Sequence, residues 1–157
     1  MTEPRQEDPQ ELVQYRLEDH VAIIRLNRPD RLNALNDAMR DRLAELCRQA
    51  GRDPQVRAVM LCAAGRAFCA SGDVSTMGHF TVTSARERLQ GAHAMIRALA
   101  DIDKPVVAAV QGAVAGIGWS LALACDMVLA ANTAFFSQVF KNVGLAPDGG
   151  AIYLLAQ

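Results

Sequence analysis

The stretch QGAVAGIGWSLALACD, residues 111–126, places three glycines before an apolar run that has no charged residue until Asp126. Backbone N–H groups at the start of a helix have no partner within that helix, and the helix dipole favours negative charge beside them. Chemistry at this point would therefore rest on the backbone. The composition predicts a site where N–H groups hold an anionic or partly negative ligand atom.

Three common glycine-rich motifs do not fit this stretch. A dinucleotide-binding GxGxxG needs glycine where Leu121 stands, and a nucleophile elbow GxSxG needs it where Ala122 stands. A P-loop needs a lysine, and none lies between Lys104 and Lys141. Two interpretations remain. The stretch is either an oxyanion hole, in which two N–H groups face a carbonyl oxygen that becomes an enolate, or a set of glycines that only permits close helix packing.

A second glycine-containing segment repeats the pattern. One apolar run ends at Gly65 and is followed by Gly72, while another ends at Gly112 and is followed by Gly118. Small residues lead each time towards a helix start, so two sets of N–H groups could face one pocket. Asp73 is expected to cap the turn after Gly72.

The segment GLAPDGG contains the one acidic residue near these elements that invites a chemical interpretation, Asp148. Pro-Asp-Gly is also typical of an ordinary turn, and Asp148 could be the N-cap of a helix over GGAIYLLAQ. A general base in an apolar pocket is the alternative.

Strand patterns alternate with helix patterns around these segments. VQYRLED and VAIIRL predict a hairpin that turns near Asp19 and His20, and RAVMLCAAG, PVVAAVQG and MVLAA predict further strands. A short helix is predicted over IGWSLALA. Strands joined by helices favour an α/β fold with crossover connections.

Two longer helices are predicted from their caps and apolar stripes. The first starts at the N-cap Asn36 and stops at Gly51, with the stripe Leu35, Met39, Leu43, Leu46 and Ala50. The second starts at a capping box of Ser84 and Glu87 and ends before Pro105.

Length and composition indicate one domain, with residues 1–12 as a flexible tail and 13–157 as the core. The net charge of −1 gives no field that favours nucleic acid or a membrane. The uncharged run 105–125 is built from Ala and Gly and is broken by Gln111, so a membrane span is not expected. Four cysteines without CxxC pairing, and a polar N-terminus, predict reduced thiols and a cytoplasmic location.

Four blocks of the sequence resemble the crotonase, or enoyl-CoA hydratase/isomerase, superfamily: NRPDRLNAL (27–35), GRAFCASGDV (65–74), KPVVAAVQGAVAGIGWSLALACDMVLA (104–130) and VGLAPDGG (143–150). The resemblance implies a crotonase-like spiral of repeated β-β-α units whose C-terminal helical part is missing here. It also implies an acyl-CoA thioester as substrate, no separate cofactor and no metal.

The resemblance assigns roles to individual residues. The N–H groups of Gly72 and Ile117 would form the oxyanion hole, although the family often has glycine where Ser71 stands. Hydratases of the family carry two glutamates where this chain has Ser120 and Phe140, whereas its isomerases carry a catalytic aspartate at the position of Asp148. The residues expected to bind or enclose the acyl-CoA are Arg31, Leu32, Arg66, Phe68, Ala70, Trp119 and Phe140. His79 lies in the polar segment SGDVSTMGHFTVTS, expected near the acyl pocket; a lone histidine is more typical of a surface residue, and a role in the site is the alternative.

The implied function is proton transfer and double-bond isomerisation through a thioester enolate held at the oxyanion hole. The chain looks closest to the phenylacetate-pathway epoxide isomerases and enoyl-CoA isomerases. Two alternatives stay open: a hydratase that finds its acid elsewhere, and a non-catalytic acyl-CoA-binding homologue. A homotrimer or hexamer is expected if the full-length chain is present.

Overall fold

The computed structural model describes residues 8–76 and 81–157. Its main sheet has the order β1-β2-β3-β4-β6. Strands β1 (Val13–Glu18) and β2 (Val21–Leu26) form the predicted antiparallel hairpin. The turn residues Asp19 and His20 both have positive φ, 47° and 65°, as a tight two-residue hairpin turn requires. Strands β3 (Ala58–Ala63), β4 (Val106–Val110) and β6 (Met127–Ala130) continue the sheet in parallel.

Two long helices, α2 (Asp37–Arg52) and α3 (Val82–Ala100), connect these strands, and their apolar faces belong to one buried core with the sheet. The side chain of Asn36 caps α2 as predicted. The predicted stop at Gly51 is wrong, since the last residue of α2 is Arg52 and its C-cap is Asp53. The helix stops there because the residue before Pro54 avoids the helical conformation.

The start of α3 also differs from the sequence-based expectation. Its capping box is formed by Thr81 and Ser84, whose side chains each accept a hydrogen bond from the other residue's N–H, at 3.1 and 3.0 Å. The helix therefore begins three residues earlier than a cap at Ser84 with Glu87 would allow.

A second, smaller layer of the fold is formed by segments that follow the main-sheet strands along the chain. It contains the parallel strands β5 (Ala113–Ala115) and β7 (Phe135–Ser137) and two isolated bridges, Leu35 to Gly72 and Cys69 to Val114. Helices α4 (Ile117–Leu123) and α5 (Ala151–Leu154) follow β5 and β7. Each unit thus runs from a main-sheet strand through the second layer into a helix, which is the predicted β-β-α repeat.

The N-terminal segment differs in part from the predicted tail. Pro9–Leu12 form a short helix, α1, capped by the side chain of Asp8, and Leu12 is buried in the core. Residues 1–7 lie outside the described part of the chain. Within the described ranges, no helix combines the length and the apolar character that a membrane crossing requires.

Candidate active site

The loop after β3 and the start of α4 bring Gly72 and Ile117 to one cavity of about 880 Å³. Backbone hydrogen bonds fix both segments. Leu35 N donates to Ser71 O, and Asp73 N donates to Leu35 O, both at 2.9 Å. Among the described residues, no acceptor is present for the N–H of Gly72 or of Ile117. Two unused donors therefore line the same cavity, as an oxyanion hole requires.

Glycines also allow the two segments to approach each other closely. A Cβ at Gly118 would lie 2.5 Å from the Cβ of Cys69, and a Cβ at Gly112 would lie 2.0 Å from the carbonyl oxygen of Arg66. Cys69 is bonded on both sides to β5, since its N–H donates to Ala113 O and its carbonyl accepts from Ala115 N. The close-packing interpretation of the glycines is therefore confirmed, and this packing also brings Gly72 and Ile117 to one cavity. The oxyanion-hole interpretation stays a prediction.

A buried ion pair anchors the loop after β3 that contains Gly72 (the Gly72 loop). Arg28 Nη1 lies 2.6 Å from Asp73 Oδ2, and it also donates to Ala34 O at 3.2 Å. The other carboxylate oxygen of Asp73 accepts from Ser75 N and Ser75 Oγ, which confirms the predicted cap. Burial alone would raise the pKa of Asp73, but the hydrogen bonds from Ser75 and Arg28 outweigh it and lower that pKa. The loop thus stays anchored by an ionised carboxylate.

The short segment NRPDRLN is shaped to present Arg28 to this loop. The side chain of Asn33, fully buried, accepts from Arg28 N at 2.7 Å and donates to the carbonyls of Ala64 and Ala67, each at 2.8 Å. Asn33 has φ of 55°, a conformation that asparagine tolerates better than most residues. The segment therefore joins the end of β3 to the loop that contains Gly72.

Asp148 lines the same cavity as the two free N–H groups. Its side chain does not cap α5, whose N-cap is Gly150 without a side-chain hydrogen bond. The turn is fixed instead by Ser120, a fully buried residue of α4 whose Oγ donates to the backbone carbonyl of Asp148 at 3.0 Å. The N-cap interpretation of Asp148 is thus wrong, and its carboxylate is left available to the cavity.

The carboxyl group of Asp148 is electrostatically perturbed. Its Oδ1 is buried and has no hydrogen-bond partner among the described residues. Burial raises the pKa of Asp148 above its ordinary value, while the nearby charges of His93, Arg40 and Arg88 act in the opposite direction. A carboxylate with a raised pKa and access to a cavity is suited to accept a proton.

The basic residues whose charges act on Asp148 do not follow from any motif in the sequence. Arg40 on α2 is buried, contacts Asp37 and has its pKa lowered to about 10, chiefly by burial. Arg88 on α3 lies 3.2 Å from the same Asp37 carboxylate. The charge of His93, also on α3, acts on Asp148 as well. Arg40, next to Met39 on the buried face of α2, is the sequence signal that could have indicated these basic residues.

The structure brings together some of the predicted acyl-CoA contacts and separates others. Arg31, Ala70 and Phe140 line the cavity. Leu32 and Arg66 lie outside its lining, Leu32 half-buried with φ of 50° and Arg66 exposed. Both stay candidates for contact with the exposed part of a CoA. His79 lies outside the described residues.

The side chains of two further residues predicted to contact the ligand do not line the cavity. Phe68 is fully buried in the core, so its ring has no surface to offer a ligand. Trp119 does not line the cavity but packs on Phe136 of β7, with ring centroids 5.5 Å apart. Trp119 is two positions after Ile117 in α4, a rotation of about 200° around the helix axis, so the two side chains leave on different sides.

The two positions that would carry hydratase glutamates hold no acid. Ser120 is fully buried and Phe140 is nearly so, at 5% exposure. Among the described residues, Asp73 and Asp148 are the acidic side chains that line the cavity. Because Asp73 is paired with Arg28, Asp148 is the acidic group of this lining best placed for proton transfer.

Comparison with known proteins identifies the family of the chain. The family model described as enoyl-CoA hydratase/isomerase matches residues 16–157. The chain is 40% identical over 139 residues to a probable enoyl-CoA hydratase of Mycobacterium tuberculosis, covering 88% of this chain and 54% of that protein. It is 39% identical over 149 residues to the 1,2-epoxyphenylacetyl-CoA isomerase of Escherichia coli, covering 92% and 57%. The chain thus spans about half the length of the curated relatives it matches.

Solved structures show the same fold. The crystal structure of an enoyl-CoA hydratase from Mycobacterium avium subsp. paratuberculosis superposes with a TM-score of 0.83 at 39% identity, covering 92% of this chain and 55% of that one. A hydratase subunit from Geobacillus kaustophilus gives a TM-score of 0.85 at 34% identity, covering 92% and 56%. The chain has the crotonase fold and belongs to the enoyl-CoA hydratase/isomerase family.

Proposed function

We propose that this chain binds an acyl-CoA thioester in the 880 Å³ cavity and moves a proton next to the thioester, as an enoyl-CoA isomerase. The observation that carries the proposal is the position of Asp148. Its carboxylate, which caps no helix and has a raised pKa, lines the same cavity as the unused N–H groups of Gly72 and Ile117. A base and an oxyanion hole on one cavity are the parts that enolate chemistry needs.

The proposed mechanism uses one base. The Asp148 carboxylate takes a proton from the carbon between the thioester and the double bond of a 3-enoyl-CoA. The electron pair moves onto the thioester oxygen, and the resulting dienolate is held by the N–H groups of Gly72 and Ile117. The protonated Asp148 then returns the proton at the far carbon of the conjugated system, which leaves a 2-enoyl-CoA and an ionised carboxylate. No cofactor beyond the coenzyme A of the substrate is needed.

Hydration is the second candidate because one of the relatives is named a probable hydratase. Adding water needs a group to activate the water and a proton donor to the enolate carbon. The side chains at the two hydratase glutamate positions, Ser120 and Phe140, supply neither near neutral pH. Isomerisation, which reuses a single carboxylate, is therefore favoured over hydration.

The residues outside the cavity suggest how the rest of the ligand is held. Arg31 stands at the cavity lining and Arg66 is exposed nearby in sequence to the Gly72 loop. Family members often have lysine where Asp30 and Ser75 stand here, so we assign the phosphates of coenzyme A to Arg31 and Arg66.

The described cysteines are all free thiols, which supports a reducing, cytoplasmic location.

The experiment that tests the proposed function follows proton and water transfer separately. The chain is incubated in heavy water with a 3-enoyl-CoA and, in parallel, with a 2-enoyl-CoA, and the products are analysed by mass spectrometry. We expect double-bond migration without the mass increase of a full water, and deuterium enters the product in those turnovers in which the proton on Asp148 exchanges with solvent before its return. Addition of water would identify a hydratase. Binding of both thioesters without exchange or turnover would identify a non-catalytic acyl-CoA-binding protein.

Self-association is part of the proposal because apolar side chains are exposed on neighbouring elements. Five large apolar side chains on β6, β7 and α5 are 57 to 69% exposed: Met127, Leu129, Phe135, Ile152 and Tyr153. Clusters of this kind mark contact surfaces. We expect light scattering during size-exclusion chromatography of the full-length chain to give the mass of a trimer or hexamer, and a monomer at micromolar concentration would contradict this expectation.

A further inference from the structure

Ser71 has a backbone conformation that a serine rarely adopts. Its φ is 107°, in the region where glycine is favoured because it lacks a Cβ. The residue stands immediately before Gly72, one of the two oxyanion-hole donors. A glycine at position 71 would take this conformation without strain, so the serine side chain carries a cost in stability that the fold does not require.

The backbone contacts of Ser71 do not explain the side chain. Its carbonyl accepts from Leu35 N at 2.9 Å and from Cys69 Sγ at 3.6 Å. Any residue type, including glycine, supplies that carbonyl. Among the described residues, no hydrogen bond is made by the Ser71 hydroxyl, although the residue lines the cavity.

The hydroxyl lies between the two segments that supply the oxyanion-hole donors. A Cβ placed on Gly116 would be 2.2 Å from Ser71 Oγ, so the oxygen lies close to Gly116, the residue before Ile117. On its other side, Ser71 is directly joined to the N–H of Gly72. One rotatable hydroxyl thus sits beside both backbone donors and at the same cavity.

We propose that Ser71 is a further catalytic residue whose hydroxyl donates a third hydrogen bond to the thioester oxygen held by Gly72 and Ile117. The inference rests on the proposed acyl-CoA function and adds to it. An O–H donor at the position where negative charge develops stabilises the enolate oxygen in the same way as the N–H donors do. The strained backbone at position 71 is then the consequence of placing a side chain where the family often has none.

The test compares Ser71→Ala with Ser71→Gly. The alanine removes the hydroxyl and keeps the strain, whereas the glycine removes both. The probe is crotonyl-CoA labelled with ¹³C at the thioester carbonyl, whose signal moves downfield when hydrogen bonds polarise the carbonyl. We expect both variants to bind the probe with a smaller downfield displacement than the parent chain, and to lose about 100-fold in kcat for double-bond migration.

Thermal unfolding separates this role from a structural one. Ser71→Gly should unfold about 2–4 °C higher than Ser71→Ala, because only the glycine relieves the positive φ. Activity that follows the hydroxyl and not the stability supports the proposal. An unchanged carbonyl displacement in both variants overturns it and leaves the proposed function intact. If the parent chain itself shows no displacement, the acyl-CoA site fails and the role of Ser71 fails with it.

Discussion

Replacing Asp148 with asparagine is expected to lower kcat for double-bond migration and for deuterium exchange by about 10²- to 10⁴-fold, the usual contribution of a positioned general base. Asparagine keeps the size of the side chain and leaves the carbonyl that accepts from Ser120 Oγ in place. The amide cannot take a proton near neutral pH. Rates of exchange measured in heavy water, with KM for the same thioester, separate loss of chemistry from loss of binding.

Asp103→Asn is the matched control, since Asp103 is exposed and does not line the cavity. It should retain the parent kcat. A similar fall in both variants would indicate a general effect of lost negative charge, and full activity of Asp148→Asn would remove Asp148 from the mechanism.

The pH dependence of the parent chain has a defined sign. Only the ionised carboxylate accepts a proton, so kcat should rise with pH through the raised pKa of Asp148, with a midpoint above the ordinary value of 3.8. The free energy of unfolding should instead fall as pH rises through the same pKa. A raised folded-state pKa contributes stability that is fully present below the unfolded value and is lost as pH rises through the folded value.

At neutral pH the asparagine variant, which has no buried charge to form, should therefore unfold at an equal or higher temperature than the parent. An inactive variant that is at least as stable as the parent would mark Asp148 as a residue retained for function. A variant with a clearly lower Tm would instead show that Asp148 stabilises the fold.

The main sheet could be predicted from the sequence because its signals are local. The hairpin follows from two β-branched runs around Asp19 and His20, and α2 follows from the cap Asn36 with its apolar stripe. The second layer could not be predicted in this way. Its strands β5 and β7 have three residues each, too few for a periodic pattern, and its remaining contacts are single bridges between distant residues such as Leu35 and Gly72.

The site shows the same division between local and long-range information. The resemblance of GRAFCASGDV and GAVAGIG to a known family indicated Gly72 and Ile117, and the structure places both N–H groups at one cavity. The environment of Asp148 depends on Arg40 from α2 and Arg88 and His93 from α3, at sequence separations that carry no pattern. Likewise, Trp119 is adjacent in sequence to the site and points away from it, because the helix rotation decides its direction.

Gly118→Ala is expected to damage the oxyanion hole without touching any side chain of the cavity. The new Cβ would lie 2.5 Å from the Cβ of Cys69 and 2.8 Å from its carbonyl oxygen. Neither atom can withdraw, because the backbone of Cys69 is hydrogen-bonded to β5 on both sides. The start of α4 must move instead, and the N–H of Ile117 moves with it relative to that of Gly72. Loss of one aligned donor should lower kcat by about 10²- to 10³-fold.

The same substitution should cost on the order of 1–3 kcal/mol in the free energy of unfolding, as overpacking of a close contact does. Gly91→Ala is the matched control, since a Cβ at Gly91, within α3, meets no atom within 4 Å. That variant should gain about 0.5–1 kcal/mol in urea unfolding and keep the parent kcat. The new Cβ would also lie 2.8 Å from Cys69 Sγ, but because the Cβ and the carbonyl oxygen of Cys69 clash as well, adding Cys69→Ala should not fully rescue Gly118→Ala. Rescue would show that only the Cys69 sulfur opposes the new methyl group, and normal activity of Gly118→Ala would show that the two N–H groups need not be held this closely.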